Sequence, residues 1–215
     1  TAYVTIDDHR RGDMKPYIYR TKDNGETWQA LATDAIEGYA WVILEDTTSP
    51  NLLFLGTEWG LFVTVDGGTH WTKITRGLPA AVQVRDLVIQ KRENDLVIGT
   101  FGRGFFVLDD YSALREISPE SLSREAELYP LRNAYRYDQI GSYSNQDGNW
   151  RTPNPTFGAV FPYSVVANFS GNLVLNIADS SGRAVCRMDL PETRGIPRAA
   201  WDLRAGGGAG GGGRG

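Results

Sequence analysis

The chain has 215 residues, of which 41% are hydrophobic and 22% charged, with a net charge of −4. This composition is typical of a globular protein of one or two domains. The weak negative charge excludes the broad basic surface with which proteins attract nucleic acid or anionic membranes. No run of about 18 apolar residues is present, so we expect no membrane span. Cys186 is the only cysteine, which excludes an intrachain disulfide; its alternating surroundings predict a packed thiol.

The first third of the chain predicts short strands joined by polar turns. Residues 3–6 and 17–21 are β-branched and aromatic, with a polar loop expected over residues 7–16. The turn Asp23-Asn24-Gly25 then leads into a strand over residues 27–31, which completes a hairpin.

Two further units follow with the same order of predicted strands. The first comprises residues 40–44, 52–57, 60–64 and 71–74, and the second residues 84–89, 96–100 and 105–108. Helical periodicity is nearly absent, so an all-β fold is expected.

A sequence repeat sets the spacing of these units. Residues 21–28 and 64–71 both read Thr-x-Asp-x-Gly-x-x-Trp, and Asp66 follows Asp23 by 43 residues. A degenerate third copy ends at Asp110, 44 residues after Asp66. The pair Gly56-Thr57 also recurs 43 residues later, at residues 99–100. A period of about 40–50 residues is that of one four-stranded propeller blade.

Turn formation explains each residue type in the repeated motif. The Asp carboxylate accepts backbone N–H groups, Gly supplies a positive φ, and Trp packs under the turn. We therefore assign a structural role to these positions: Asp23, Gly25, Thr27, Trp28, Asp66, Gly68 and Trp71.

The motif resembles the Asp-box, or bacterial neuraminidase repeat, although His70 departs from the usual Thr at the seventh position. Residues 51–68 and 99–110 are similar to sortilin-like propeller proteins of bacteria, which are often labelled glycosyl hydrolases because of the repeat alone. The resemblance implies a β-propeller with the boxes on outer turns, away from the axial pocket, and an extracellular or periplasmic location. It does not imply an activity.

The rest of the chain changes character. A helical turn is predicted at residues 118–120, where Ser precedes Pro, within a linker or arm over residues 119–156. Strands are expected at residues 159–161, 163–166, 172–177, 184–188 and 200–204. Residues 157–204 resemble the Ig-like module related to flagellar hook-capping proteins. The glycine-rich tail, residues 205–215, is expected to be disordered.

The predicted architecture is therefore an incomplete β-propeller of about two and a half blades (residues 1–118), a linker, and a partial Ig-like β-sandwich. Propellers need about 4–8 blades to close. We thus expect the chain to be the C-terminal part of a larger propeller. Its outer blade faces would stay exposed unless the remaining blades, or another copy, cover them.

The loops that follow the repeated Gly-Thr pair are the candidate binding site. They lie opposite the boxes, so Glu58, Trp59 and Arg103 are expected to face the axial pocket, with Trp59 stacking on a sugar ring. Ordinary loop packing is the alternative interpretation. The partner would be a protein or a glycan.

Catalysis by this chain would need a pair of carboxyl groups. Asp7, Glu58 and Asp86 are the available loop acids, and a glycosidase needs two carboxyls about 5–10 Å apart. Asp7-Asp8-His9 reads either as acid–base or metal-binding residues or as a solvated loop. His9 and His70 have no zinc-binding spacing, and neither a metal nor a cofactor is predicted.

Two functional hypotheses result. The first is a non-catalytic binding scaffold. The alternative is a glycoside hydrolase, of exo-α-sialidase or xyloglucanase-like type, whose catalytic acids lie mostly outside this chain. No arginine cluster of the sialidase kind is recognisable, which disfavours that activity.

Overall fold

The computed structural model describes residues 1–137 and 155–205 and is all-β, with antiparallel sheets. The chain divides into two compact units, Thr1–Ile117 and Ser118–Gly215. None of the helices in the described ranges is long and apolar enough to cross a membrane.

Ten strands form three sheets in the first unit. The first sheet contains β1 (Ala2–Asp8), β2 (Asp13–Thr21) and β3 (Gln29–Ala30). The second contains β4 (Ala40–Glu45), β5 (Leu53–Thr57), β6 (Gly60–Thr64) and β7 (Thr72–Ile74). The third contains β8 (Val84–Gln90), β9 (Asp95–Thr100) and β10 (Phe105–Leu108). Short 3-10 helices cover His9–Arg11 and Tyr111–Glu116. The predicted strands of all three units are confirmed.

The polar loop predicted over residues 7–16 is wrong at both ends. β1 continues through Asp8 and β2 begins at Asp13, and these two residues pair across the hairpin. Gly12 has a φ of +88°, which lets the chain reverse within four residues. The side chains of Asp7, Asp8 and Asp13 therefore project from strands, and those of Arg10 and Arg11 from the short 3-10 helix between them.

The second and third sheets share irregular features as well as strand order. A β-bulge lies between Ala40 and Val42 in β4, and another lies 44 residues later in β8, between Val84 and Asp86. A bulge is a specific local distortion, so its recurrence shows that both sheets have the same construction. Three successive open sheets of this kind are consistent with an incomplete β-propeller.

The second sheet is covered on both faces. Side chains alternate along a strand, so Leu53 and Leu55 pack with the first sheet, whereas Phe54 packs with the third. Leu53, Phe54 and Leu55 are all inaccessible to solvent. The two hydrophobic clusters on either side of this sheet form the core of the unit.

The described residues of the second unit, 118–137 and 155–205, form one short helix and five strands. These are α1 (Pro119–Ser123), β11 (Ala126–Leu128), β12 (Ala159–Val165), β13 (Leu173–Ala178), β14 (Ala184–Leu190) and β15 (Arg198–Trp201). Strands β11, β12 and β15 form one sheet, and β13 and β14 form another. Residues of both sheets share a hydrophobic cluster that includes Phe161, Leu175 and Cys186, which is a sandwich-like arrangement. The packed position predicted for Cys186 is confirmed.

The segment expected to be a linker contains regular structure. The helix start is confirmed: Ser118 caps α1 and exchanges hydrogen bonds with Ser121 in a capping box. β11 follows and pairs with β12 because its backbone completes the edge of that sheet. Within the second half, the two strands predicted at residues 159–166 form the single strand β12, which continues through Pro162. Residues 138–154 of the expected linker, and residues 206–215 of the expected tail, lie outside the described residues.

Candidate ligand-binding cleft

The cleft is formed by loops that leave the second and third sheets at the same point of the repeat. Glu58 and Trp59 connect β5 to β6, and residues 101–104 connect β9 to β10. The Thr57 hydroxyl accepts the Trp59 N–H at 3.1 Å, and the Thr100 hydroxyl donates to the Gly104 carbonyl at 2.6 Å. The repeated Gly-Thr pair thus supplies one hydroxyl that shapes each loop.

Backbone hydrogen bonds join each loop to the segment that precedes the first strand of its own sheet, β4 or β8. The Glu58 N–H donates to the Tyr39 carbonyl at 3.1 Å, and the Phe101 N–H donates to the Gln83 carbonyl at 3.0 Å. Behind the first loop, Gly38 has a φ of +73°, and a Cβ there would lie 2.6 Å from the Trp59 ring. Only a glycine leaves room for Trp59 in this position.

These loops enclose a cleft of about 200 Å³. Glu58, Trp59 and Arg103, which the sequence placed in one candidate site, all line it. The other lining residues are Ala81, Val82, Gln83 and Phe101. Trp59 is 45% exposed and Phe101 67% exposed, so two aromatic surfaces remain open to a ligand.

Arg85 is a neighbouring residue that sequence reasoning missed. Its guanidinium carbon lies 3.6 Å from the centre of the Trp41 ring and 5.0 Å from that of Phe101, and its side chain donates to the Gln83 amide oxygen. Cation–π contacts of this kind orient an arginine without neutralising it. A single arginine in an alternating strand carries no sequence signal for this role.

Three aromatic side chains also cluster where β1 ends and β4 begins. The His9 and Tyr39 rings are stacked 4.6 Å apart, and Trp41 meets both edge-on. Burial raises the pKa of Tyr39, and the negative charges of Glu58 and Asp7 raise it further. Asp7 and Glu58 therefore both act electrostatically on one phenol, although only Glu58 lines the cleft.

Asp7 and Asp86 have local partners. His9 donates its N–H to Asp7 Oδ1 at 2.9 Å, and its ring nitrogen Nδ1 approaches the same oxygen. Burial raises the pKa of Asp7, but these His9 hydrogen bonds outweigh it and lower the pKa below its ordinary value. Asp86 lies at the β8 bulge and accepts the Leu87 N–H at 2.9 Å. The lowered pKa of Asp7 suits an ionised carboxylate and is the opposite of what a general acid needs.

The two Thr-x-Asp-x-Gly-x-x-Trp turns, residues 21–28 and 64–71, are called the boxes below and lie at the other end of the sheets. In the second sheet the cleft loop joins β5 to β6 and the box joins β6 to β7, and consecutive antiparallel turns lie at opposite ends. The box and the cleft loop of this sheet therefore lie at opposite ends of it.

Each box is closed around its aspartate. Asp23 Oδ1 accepts the Thr21 hydroxyl at 2.7 Å and the Thr27 N–H at 3.0 Å. The Thr21 hydroxyl in turn accepts the Gly25 N–H at 2.9 Å, and Trp28 Nε1 donates to the Gly25 carbonyl. The hydrogen bonds from Thr27 and Thr21 lower the pKa of Asp23 to about 2.

The second box keeps the hydrogen bonds around its aspartate although its sequence departs from the motif, whereas Trp71 donates to the Leu31 carbonyl outside the box. Asp66 Oδ1 accepts the Thr64 hydroxyl at 2.7 Å and the His70 N–H at 2.9 Å. In the first box the Thr27 hydroxyl donates to Asp23 Oδ2. At the same place in the second box, the ring nitrogen Nδ1 of His70 lies 2.6 Å from Asp66 Oδ2. Burial raises the pKa of Asp66, but the hydrogen bonds from His70 and Thr64 lower it to about 2. Histidine thus replaces threonine without loss of the contact.

The third copy keeps the position of the box but not its turn. Asp110 follows the end of β10 by two residues, as Asp66 follows β6. Its carboxylate accepts the backbone N–H and the hydroxyl of Ser112 and caps the 3-10 helix instead. Leu108 occupies the place of Thr64, so the hydroxyl that organises the other boxes is missing.

Among the residues that the structure describes, no group of three or more His, Cys, Asp or Glu side chains is arranged to hold a metal ion. Comparison with known proteins found no matching family model, curated protein or solved structure.

Proposed function

We propose that this chain is part of a secreted or periplasmic Asp-box propeller of the sortilin-like kind that acts as a non-catalytic binding scaffold, and that its ligand is a glycan. The observation that carries the proposal is the convergence of two repeat loops on one cleft lined by Glu58, Trp59, Phe101 and Arg103. The Asp-box turns and the strand period support the family assignment.

The chemistry of the lining favours a sugar. Exposed aromatic faces bind the apolar faces of pyranose rings, and charged groups beside them hydrogen-bond to hydroxyls. The volume of about 200 Å³ is below the ~300–1,000 Å³ that encloses a drug-sized ligand. The cleft therefore suits a ligand of which one ring enters while the rest stays in solvent.

The hydrolase alternative has less support. A glycosidase needs two carboxyls that flank the scissile bond. Among the described residues lining the cleft, Glu58 is the one carboxylate, and neither Asp7 nor Asp86 joins it there.

A glycan array probed with the full chain tests the proposal. We expect Trp59→Ala to weaken binding to the glycans that the wild-type chain recognises by at least about tenfold, or ~1.4 kcal/mol. Trp28→Ala is the matched control, because Trp28 is 47% exposed but belongs to a box. Binding that survives both Trp59→Ala and Arg103→Ala, or a wild-type chain that binds no glycan, contradicts the proposal.

A further inference from the structure

The charges around the cleft are unbalanced. Glu58 is the one carboxylate among the described residues that line it, whereas Arg103 lines it and Arg85 adjoins it through Gln83 and Phe101. Both arginines are exposed. Neither forms an ion pair with a carboxylate in the part of the chain that the structure describes. The cleft therefore presents two positive charges and one negative charge to a ligand.

Arg85 is held in position without losing its charge. Its guanidinium carbon lies 3.6 Å from the centre of the Trp41 ring, so the cationic group lies over the indole. The Phe101 ring, on the cleft side, is 5.0 Å away. Contacts with two rings restrict the side chain before any ligand arrives, which reduces the entropy lost when it binds an anion.

The edge of the Arg85 guanidinium that stays available is the one that suits a carboxylate. Its Nε and Nη2 both donate to the Gln83 amide oxygen, at 3.3 Å and 3.0 Å. Both N–H groups of Nη1 and the second N–H of Nη2 are not used in these bonds. One N–H from each of these two nitrogens points along the end of the group, and this parallel pair matches the two oxygens of a carboxylate.

The other lining groups suit the remainder of a sugar ring. Trp59 is 45% exposed and lines the same cleft as Arg103, so its indole is open to the apolar face of a pyranose. Glu58 can accept hydrogen bonds from sugar hydroxyls, because an ionised carboxylate is an acceptor only. The indole and Glu58 thus select a sugar, and the two guanidinium groups select a negative charge on it.

We propose that the glycan bound in this cleft carries a carboxylate, as a hexuronic acid does, and that Arg85 and Arg103 select it. This inference rests on the proposed glycan-binding function and names the class of sugar that the cleft prefers. Hydrogen bonds between a guanidinium and a carboxylate are charge-assisted, so an acidic sugar should bind about tenfold or more tightly than its neutral counterpart.

Titration of the full chain with matched acidic and neutral ligands, followed by tryptophan fluorescence, tests the proposal. The ligands are trisaccharides of galacturonic, glucuronic and mannuronic acid, each compared with its carboxyl methyl ester, which keeps the ring and removes the charge. We expect the wild-type chain to bind at least one acid about tenfold or more tightly than its ester. Arg85→Gln and Arg103→Gln should each reduce this preference by about threefold or more, and the double variant should abolish it.

Arg92→Gln is the matched control. Arg92 is an exposed arginine in the turn between β8 and β9, at the opposite end of the third sheet from the cleft loop. Its substitution removes the same charge and should leave the preference unchanged. The affinity for the ester should be the same in all variants, which also shows that each variant is folded.

The outcomes separate this inference from the proposed function. Equal binding of acid and ester by the wild-type chain overturns the inference alone, as does binding of other glycans on the array but of none of the three acids. A preference that survives the double substitution, or that Arg92→Gln reduces equally, also overturns it. A chain that binds neither these ligands nor any glycan on the array contradicts the proposed function itself, and the inference with it.

Discussion

Arg115 and Asp46 form a bidentate ion pair that joins the end of the second sheet to the helix after the third. Arg115 donates from Nε to Asp46 Oδ2 at 2.9 Å and from Nη2 to Oδ1 at 2.8 Å. The Tyr111 hydroxyl donates to Oδ1 at 2.7 Å, and the Asp46 side chain is completely buried. Burial raises the pKa of Asp46, but the hydrogen bonds from Arg115 and Tyr111 outweigh it and hold the pKa well below its ordinary range.

Removal of this carboxylate should destabilise the first unit strongly. Asp46→Ala leaves the largely buried Arg115 without its partner, and breaking a buried pair in this way costs about 3–5 kcal/mol. Urea unfolding followed by tryptophan fluorescence measures the free energy of unfolding. Asp34→Ala is the control at an exposed aspartate and should change it by less than about 0.5 kcal/mol. Equal effects of the two substitutions would show that the pair does not stabilise the fold.

The two box tryptophans should differ sharply in their effect on stability. Trp71 is 5% exposed and donates from Nε1 to the Leu31 carbonyl at 2.9 Å, whereas Trp28 is 47% exposed. Trp71→Ala removes a core side chain and should lower the free energy of unfolding by about 3–5 kcal/mol. Trp28→Ala should cost less than about 1 kcal/mol. Denaturant unfolding measures both variants. Similar losses of unfolding free energy would contradict the inference that burial, and not the motif, determines how much each tryptophan stabilises the fold.

The two glycines of the repeated Gly-Thr pair should also respond differently to alanine. A Cβ on Gly56 would lie 2.7 Å from both the side chain and the carbonyl oxygen of Val84, whereas a Cβ on Gly99 meets its nearest atom at 3.4 Å. Gly56→Ala should therefore cost about 1–3 kcal/mol through overpacking. Gly99→Ala should change stability by less than about 1 kcal/mol. Thermal melting of the two variants gives the comparison, and a Gly56→Ala variant as stable as Gly99→Ala would disprove the close approach of β5 to β8.

Asp66 should make the stability of the fold sensitive to acid. Its pKa is about 2 in the folded chain against an ordinary 3.8, so its contribution is present above the ordinary pKa and is lost as the pH falls to about 2. At neutral pH Asp66→Asn should cost about 1 kcal/mol, a modest value because the side chain is 38% exposed and screened by solvent.

The difference in unfolding free energy between wild type and Asp66→Asn should therefore shrink between about pH 4 and pH 2. Urea unfolding at a series of pH values measures it. Asp34→Asn, at the exposed control position, should differ from wild type by less than about 0.5 kcal/mol at neutral pH. A constant difference for Asp66→Asn would show that its carboxylate is not stabilised by the turn.

The candidate site could be predicted only in part. The repeat period placed Glu58, Trp59 and Arg103 at equivalent loops, because a fixed spacing of turns brings the same loop of each sheet to the same end. Phe101 lies in the loop that this spacing indicated, but Arg85 was missed. The position of Arg85 depends on its contact with Trp41 of the neighbouring sheet, and a side chain in an alternating strand gives no sign of its cross-sheet partner.

The sequence by itself determined the all-β class, the strand order of each repeat unit and the turn role of Asp23 and Asp66. Those features are local: alternation selects strands, and Asp and Gly at set positions select the turn. Only the tertiary structure decided the rest. It buried Trp71 but not Trp28, paired Asp46 with a residue 69 positions away, and left Phe105 exposed where Leu61 is covered. These outcomes depend on which sheet packs against each face of a strand. The residues of a strand do not by themselves specify the sheet that will pack on it.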